Sequence, residues 1–401
     1  MAALDGLRVL DFGRYVAGPY CATLLADFGA EVIRIDRLDG SEDRMIAPVT
    51  DDGTGALFLQ INRNKRSLAL DPKSVEGRKI IEALVAQSDI VVANVPTAAL
   101  AAMGIDYATL AAIQPRIILA NVSAFGPTGP WADRLGFDSI GQAMSGSAFL
   151  SGSGDPPVRA ATAWVDHATA LYAALGVMFA VNERARTGNG QQVDASLLGS
   201  ALAFNSIYLV EQAVAALNRT AIDNRSFVGG PSDIFRTVDG WVVTQVVGGA
   251  LFGRWARLMD EPQWLEDARF ATDELRGLNG EILSERMTTW CADKTSAVAL
   301  ELFAQARIPG GPVLSPQQAL DHPQVFGMNF FVPTKVSGHA RDVPLMRAPI
   351  DMSATPGTIR RPPPGIGEHS DEILAEIGYS AAAIERLRAA GAISSRPDTS
   401  R

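Results

Sequence analysis

One carboxylate, Asp166, stands at the head of the strongest helical pattern in the chain. Ala168, Leu171, Tyr172, Leu175, Met178 and Phe179 recur on one side, Arg184 and Arg186 fill the last turn, and Gly188 and Gly190 follow. Two chemistries fit a carboxylate in that place. It can be an N-cap that satisfies orphan N–H groups. Alternatively, the positive end of the helix dipole can hold it ionised beneath a cover that keeps water out, and it can then attack an acyl group. Such a cover has a sequence: from Gly126 to Ala160, seven Gly, five Ser and four Pro are too loop-rich for a packed layer.

Other chemistries find less support. The turn FGRYVAGPY (12–20) sits where a dinucleotide fold places its phosphate loop, and Asp36 stands where a ribose-binding acid would. Its glycines, Gly13 and Gly18, do not spell G-x-G-x-x-G, and no P-loop is present, so a nicotinamide dinucleotide is disfavoured. His167, His322, His339 and His369 share no metal-ligand spacing and join no nucleophile motif. Arg360 and Arg361, before a triple proline, read as solubilising linker charge. Cys21 and Cys291 make neither a disulfide framework nor a metal cluster, which fits a reducing, cytoplasmic setting.

The elements that must position Asp166 alternate. Strand patterns at 7–12, 31–36, 67–70, 89–95 and 116–123 are separated by helical patterns at 18–29 and 74–86, and the strands are almost wholly apolar. That grammar predicts an α/β fold with a parallel sheet covered on both faces. After a polar stretch from Asn218 to Pro231 the grammar changes. DIFRTV, Asp239-Gly240 and WVVTQVV predict a hairpin with a two-residue turn of positive φ, and helical stretches near 250–259, 280–293 and 296–306 make 232–325 a smaller α+β domain. We therefore read 1–217 as the first part of a large domain, 218–231 as a linker, 232–325 as the small domain and 326–401 as a return to the large one.

With 401 residues, 47% apolar and 20% charged, the chain can bury real cores and is neither disordered nor fibrous. Its 35 basic against 44 acidic residues, net −9, are the wrong sign for neutralising a phosphate polymer, so no nucleic-acid partner is expected; a local pocket for a small anion stays open. No membrane partner is expected either. The longest weakly polar stretch, Ala168 to Val181, falls short of the roughly 20 residues a bilayer needs, and the start shows no basic segment leading into an apolar one.

Several runs carry a resemblance. L-D-G-L-R-V-L-D-F (4–12), A-G-P-Y-C-A-T-L-L-A-D-F-G-A-E-V-I-R-I-D-R (17–37), N-R-N-K-R-S-L-A-L-D (62–71), D-I-V-V-A-N-V (89–95), T-G-N-G-Q-Q-V-D-A-S (187–196) and G-E-H-S-D-E-I-L-A-E-I-G-Y-S (367–380) are similar to the class III CoA-transferases, the formyl-CoA transferase and carnitine CoA-transferase family. The resemblance implies a Rossmann-like large domain built from both chain ends, a smaller domain from the middle and an interlocked homodimer. It implies a reaction that moves CoA from an acyl-CoA donor to a small carboxylic acid. CoA and acyl-CoA are then substrates, with no tightly bound cofactor and no metal.

The family's nucleophilic aspartate maps onto Asp166, ahead of the same T-G-N-G-Q helix end. Contacts to CoA map onto Val16, Arg37, Leu70, Lys73, Asn94, Val95, Met103 and Phe137. The chain also departs from the pattern. Ala102 stands where relatives often hold a phosphate-binding base, with Arg116 or Lys65 as substitutes. Val16 replaces a polar side chain that formyl-CoA transferase uses near the thioester, which weakens an oxalate or formate assignment. The α-methylacyl-CoA racemases of the same fold, the alternative reading, carry G-H-D where this chain has Gly136-Phe137-Asp138. Phe137 cannot accept a proton, so the two-base route lacks a base and transfer is favoured, with Phe137 as a wall of the acyl pocket. The Gly/Ser-rich segment 136–154 and the Val228-Gly229-Gly230-Pro231 turn are read as the cover over the intermediates.

Overall fold

The computed structural model describes residues 1–394, apart from the side chains of residues 97 and 98; the end of the 326–401 segment lies outside the described residues. Six parallel strands, β1 (Arg8–Asp11), β2 (Glu31–Asp36), β3 (Lys65–Ala69), β4 (Ile90–Ala93), β5 (Ile118–Ser123) and β6 (Gln192–Ser196), form one sheet in the order β3-β2-β1-β4-β5-β6. Successive residues of a strand point to opposite faces, and both faces are covered. Val9, Val32, Ile90 and Val92 enter a core with the helices Ala17–Asp27 and Trp164–Thr187. Their neighbours Leu10, Ile33 and Val91 enter a second core with the helices Val75–Val85, Ser370–Glu376 and Ala381–Ala389. The last of these was not foreseen.

By compactness the described chain falls into two units. The first comprises Met1–Gly146, Ala160–Ala213 and the chain from Met328 on. The second comprises Ser147–Arg159 and Val214–Gly327, so it takes in a stretch, 147–159, that chain order had left with the first. Within the second unit β7 (Ser232–Arg236), β8 (Trp241–Gln245) and β9 (Gly310–Pro312) pair antiparallel, over a core of Phe235, Phe252, Trp255, Met287 and Phe303. The hairpin forms, but its turn differs from expectation. Arg236 pairs with Trp241, so residues 237–240 make the connection, and neither Asp239 nor Gly240 has positive φ. Asp239 instead accepts hydrogen bonds from Ser296 N at 2.7 Å and Thr237 Oγ1 at 3.3 Å, which ties the turn to the next helix. Gly229 and Gly230 are buried here. A Cβ on Gly229, itself at φ 94°, would lie 2.8 Å from the Val246 carbonyl oxygen, and one on Gly230 2.9 Å from a Leu283 methyl, so backbone conformation and packing account for both glycines.

The long helix begins at Trp164, two residues before Asp166, and runs 24 residues to Thr187, where Gly188 ends it at φ 82°. It is longer than the sequence pattern indicated, and by length and hydropathy alone it could cross a membrane. Its small residues Ala170, Ala173, Val177 and Ala180 are buried against β5, β6 and the helix Ala17–Asp27, so one face belongs to the sheet's core.

Candidate active site

In a sheet of this order the chain leaves β1 and β4 in opposite directions, which opens a crevice beyond the carboxyl ends of those strands. A cleft of about 340 Å³ lies there in the first unit. Loop residues Arg14, Tyr15 and Val16 after β1, Asn94 and Val95 after β4, Ser123 and Ala124 after β5 and Leu197 after β6 line it. The segment 132–137 forms another wall, and Asp166 faces the same space.

A buried ionic network sets the loop after β1. Lys65 Nζ donates to Asp11 Oδ2 at 2.7 Å, to the Pro19 carbonyl at 2.8 Å and to Asn62 Oδ1 at 3.0 Å. Asp11 Oδ1 accepts from Gly13 N at 2.7 Å, and Asp43 Oδ2 from Tyr15 N at 3.2 Å. From β4, the Asn94 amide grips Arg14 at both backbone groups: Oδ1 accepts from Arg14 N and Nδ2 donates to Arg14 O, each at 2.7 Å. Tyr15 is thereby held at φ 61°, a conformation a tyrosine seldom adopts, with its ring edge-on to Phe137 at 5.3 Å between centroids. The two glycines of the first turn serve this close approach and not a phosphate. A Cβ on Gly13 would lie 2.6 Å from the Pro19 ring, and one on Gly18 3.1 Å from Asn94 Oδ1.

Asp166 is the third residue of its helix, not its cap. The N-cap is Ala163, which offers no side-chain acceptor. The amides of Val165 and Asp166 donate to Asp138 Oδ1 at 2.7 and 3.1 Å. No hydrogen-bond donor to the Asp166 carboxylate occurs among the described residues. Burial, and then the negative charge of Asp138, push its pKa up to about 7. The expectation that the helix dipole keeps it ionised is corrected: Asp138 already occupies the amides that would have supplied that field.

The residues assigned to CoA separate into two groups. Val16, Asn94, Val95 and Phe137 line the cleft with Asp166. Arg37, Leu70, Lys73 and Met103 do not line it. Arg37 and Lys73 follow β2 and β3 at the same edge of the sheet; both are exposed, and Arg37 pairs with Glu42 at 3.2 Å. Leu70 is fully buried in the core, and Met103 packs against that core. The Leu70 side chain therefore cannot meet a ligand. The proposed substitutes for Ala102 do not line the cleft either. Lys65 is locked to Asp11 with no exposure, and Arg116 precedes β5, at the opposite edge of the sheet from the cleft. The guanidinium that does stand beside Ala102 is Arg78, which donates to its carbonyl at 2.8 Å. Asp36, the would-be ribose ligand, is buried between Arg34 and Arg44 at 2.9 and 2.6 Å. Among the described residues no group of three or more His, Cys, Asp and Glu is placed to hold a metal.

Sequence reasoning passed over Tyr15, Arg134 and Gln142, and it named Asp138 only within Gly136-Phe137-Asp138, without a role. Asp138 and Gln142 carried one further signal, an acid and an amide four residues apart on one helix face.

A family model described as CoA-transferase family III matches residues 4–370. The chain belongs to that family. This transferase is 31% identical to succinyl-CoA–D-citramalate CoA-transferase of Chloroflexus aurantiacus, over 93% of this chain and 94% of that one. It is 34% identical to succinyl-CoA:glutarate CoA-transferase of Mus musculus, over 98% and 91%. Among solved structures, a CaiB/BaiF family protein from Brucella suis superimposes with a TM-score of 0.82 at 29% identity, covering 94% of this chain and 99% of the other. The transferase is thus an enzyme that moves CoA between carboxylic acids, with CoA thioesters as substrates.

Proposed function

We propose that the enzyme transfers CoA by double displacement on Asp166. The observation that carries this reading is a half-buried carboxylate, free of hydrogen-bond donors among the described residues, on the wall of the cleft at the sheet's crevice. An Asp166 carboxylate oxygen attacks the thioester carbonyl of the donor, the C–S bond breaks, and an aspartyl–acyl anhydride and CoA thiolate result. The thiolate then attacks the aspartyl carbonyl, which expels the donor acid and leaves an aspartyl–CoA thioester. An acceptor carboxylate attacks that thioester and releases thiolate, which attacks the acceptor's acyl carbon and restores Asp166. Each step exchanges one acyl bond for another of similar energy, so the requirement on the protein is to exclude water. The apolar wall of Phe137, Leu135 and Tyr15 supports that requirement.

The relatives' names pair succinyl-CoA with small dicarboxylic acids. Two arginines line the cleft here. The Arg14 guanidinium is held by the carbonyls of Gly13 at 2.8 Å and Ile35 at 3.1 Å, whereas that of Arg134 lies 4.1 Å over the Trp131 ring and suits a carboxylate of a small dicarboxylic acid. Incubation with succinyl-CoA and hydroxylamine is expected to leave a hydroxamate at residue 166, found by mass spectrometry of peptides, and glutarate is expected to become glutaryl-CoA. An active enzyme without modification at 166 would remove this mechanism. Exchange of solvent deuterium at Cα without any acceptor would favour the racemase instead.

The homodimer belongs to the same proposal. Leu171, Tyr172, Leu175 and Phe179 on the long helix stay 43–64% exposed, and Phe204, Ile207 and Val210 nearby in sequence 60–73%. So much apolar surface suits a second copy of the chain. Sedimentation is expected to give twice the chain mass at micromolar concentration, and a monomer there would exclude it.

A further inference from the structure

We propose that Asp138, locked by Gln142, is a positioning residue for Asp166: its carboxylate caps the helix that carries the nucleophile and leaves the Asp166 side chain free to face the cleft. The inference rests on the reading of Asp166 as nucleophile. A helix start exposes amides with no partner inside the helix, and an aspartate in the first turn is drawn toward them. Here the three amides of residues 164–166 are already taken: Trp164 N donates to Thr162 O at 2.9 Å, and Val165 N and Asp166 N donate to Asp138 Oδ1 at 2.7 and 3.1 Å.

Asp138 is itself immobilised. Its Oδ2 accepts from Gln142 Nε2 at 2.6 Å, one turn along the helix Asp138–Met144. The same amide's Oε1 accepts from Ala160 N at 2.8 Å, so two side chains hold both the approach to the long helix and its first turn. Asp138 is 8% and Gln142 1% exposed, too buried to swing aside. Asp138 also begins its helix directly after Phe137, so one turn of chain supplies a cleft wall and the cap for the nucleophile's helix.

The charged groups around Asp166 are Asp138 from this neighbouring helix and Arg14, Asp133 and Arg134 from the walls of the cleft, and the next residue in the chain is His167. The His167 ring is engaged by the Ala163 carbonyl at 2.8 Å and stands edge-on to Tyr20. Asp138 is the negative neighbour that acts on the Asp166 carboxyl.

The full chain is tested as Asp138→Asn, Asp138→Ala and Gln142→Leu, reading kcat, KM for succinyl-CoA, the pH profile of kcat/KM and thermal melting. Asn keeps an acceptor oxygen and removes the charge; kcat within about tenfold of wild type is expected, with the profile's midpoint at lower pH. Ala removes the acceptor, and kcat is expected to fall about 100-fold with KM little changed, because a nucleophile on a loosened turn samples wrong geometries. Gln142→Leu is expected to lie between the two. If Asp138→Ala does not fold, the Asn variant carries the test through its midpoint. An unmoved midpoint in Asp138→Asn, wild-type kcat in Asp138→Ala, or a change confined to KM would overturn the proposal. Absence of a wild-type adduct at 166 would remove the nucleophile instead, so the two failures are distinguishable.

Discussion

Asp166→Asn is expected to lower kcat/KM for CoA transfer by at least about 10³-fold and to raise the melting temperature at alkaline pH. The two effects share one cause. The carboxyl is half-buried beside Asp138, so its pKa in the fold, about 7, lies well above the ordinary aspartate value of 3.8. For an acid shifted upward, the unfolded chain ionises first. Below about pH 4 both states hold the proton and nothing is lost; between there and pH 7 stability falls as the fold resists ionisation, and above that the loss is complete. Its ceiling is on the order of 4 kcal/mol. Asn carries no such burden, so melts of variant and wild type should coincide near pH 4 and separate near pH 8. On the proposed mechanism the same ionisation governs catalysis, because attack requires the carboxylate. Wild-type kcat/KM should therefore climb through about pH 7. A flat profile, or an Asn variant that transfers CoA at the wild-type rate, would contradict this account.

Lys65→Met is expected to destabilise the fold by about 3–5 kcal/mol, because it leaves Asp11 charged in a site with no access to water. Neither side chain has any exposure, and their nearest atoms are 2.7 Å apart. Burial, the largest influence, brings the Lys65 pKa down to about 8 despite its partner. For Asp11 burial acts upward, but Lys65 and Arg34 outweigh it and hold the carboxyl below its usual range. The effect should reach the cleft, since Asp11 also holds Gly13 N. We expect kcat/KM to fall about tenfold in molecules that remain folded. The double variant Asp11→Leu/Lys65→Met should recover much of the stability but not the rate, because an apolar pair fills the space without gripping the loop. Denaturant titration with the slope checked for constancy reads the first quantity, and steady-state kinetics the second. A single variant as stable as wild type would show that Arg34 alone neutralises Asp11.

The amino-acid sequence by itself determined five of the six parallel strands and the family, and it singled out Asp166; β6, with its alternating polar residues, was not foreseen. Val9, Leu10, Val32, Ile33, Ile90 and Val91 can satisfy both faces of a sheet only if helices cover both, and strands of that kind announce themselves locally. Family motifs spread from residue 4 to residue 380 mark Asp166 because they preserve an order along the chain. Tertiary structure alone decided what surrounds that carboxylate. Asp138 lies 28 residues upstream, a separation with no helical or strand periodicity, and reaches the amides of Val165 and Asp166 only after the chain between has folded back. Leu70, matched to a contact around the nucleotide, has its side chain in the core, and Lys65, offered as a substitute phosphate ligand, is a buried ion-pair partner. Residue type records which chemistry is possible. Whether a charge is paired, stripped of water or free to react depends on neighbours distant in the chain, and the energies that settle it arise only when burial removes solvent.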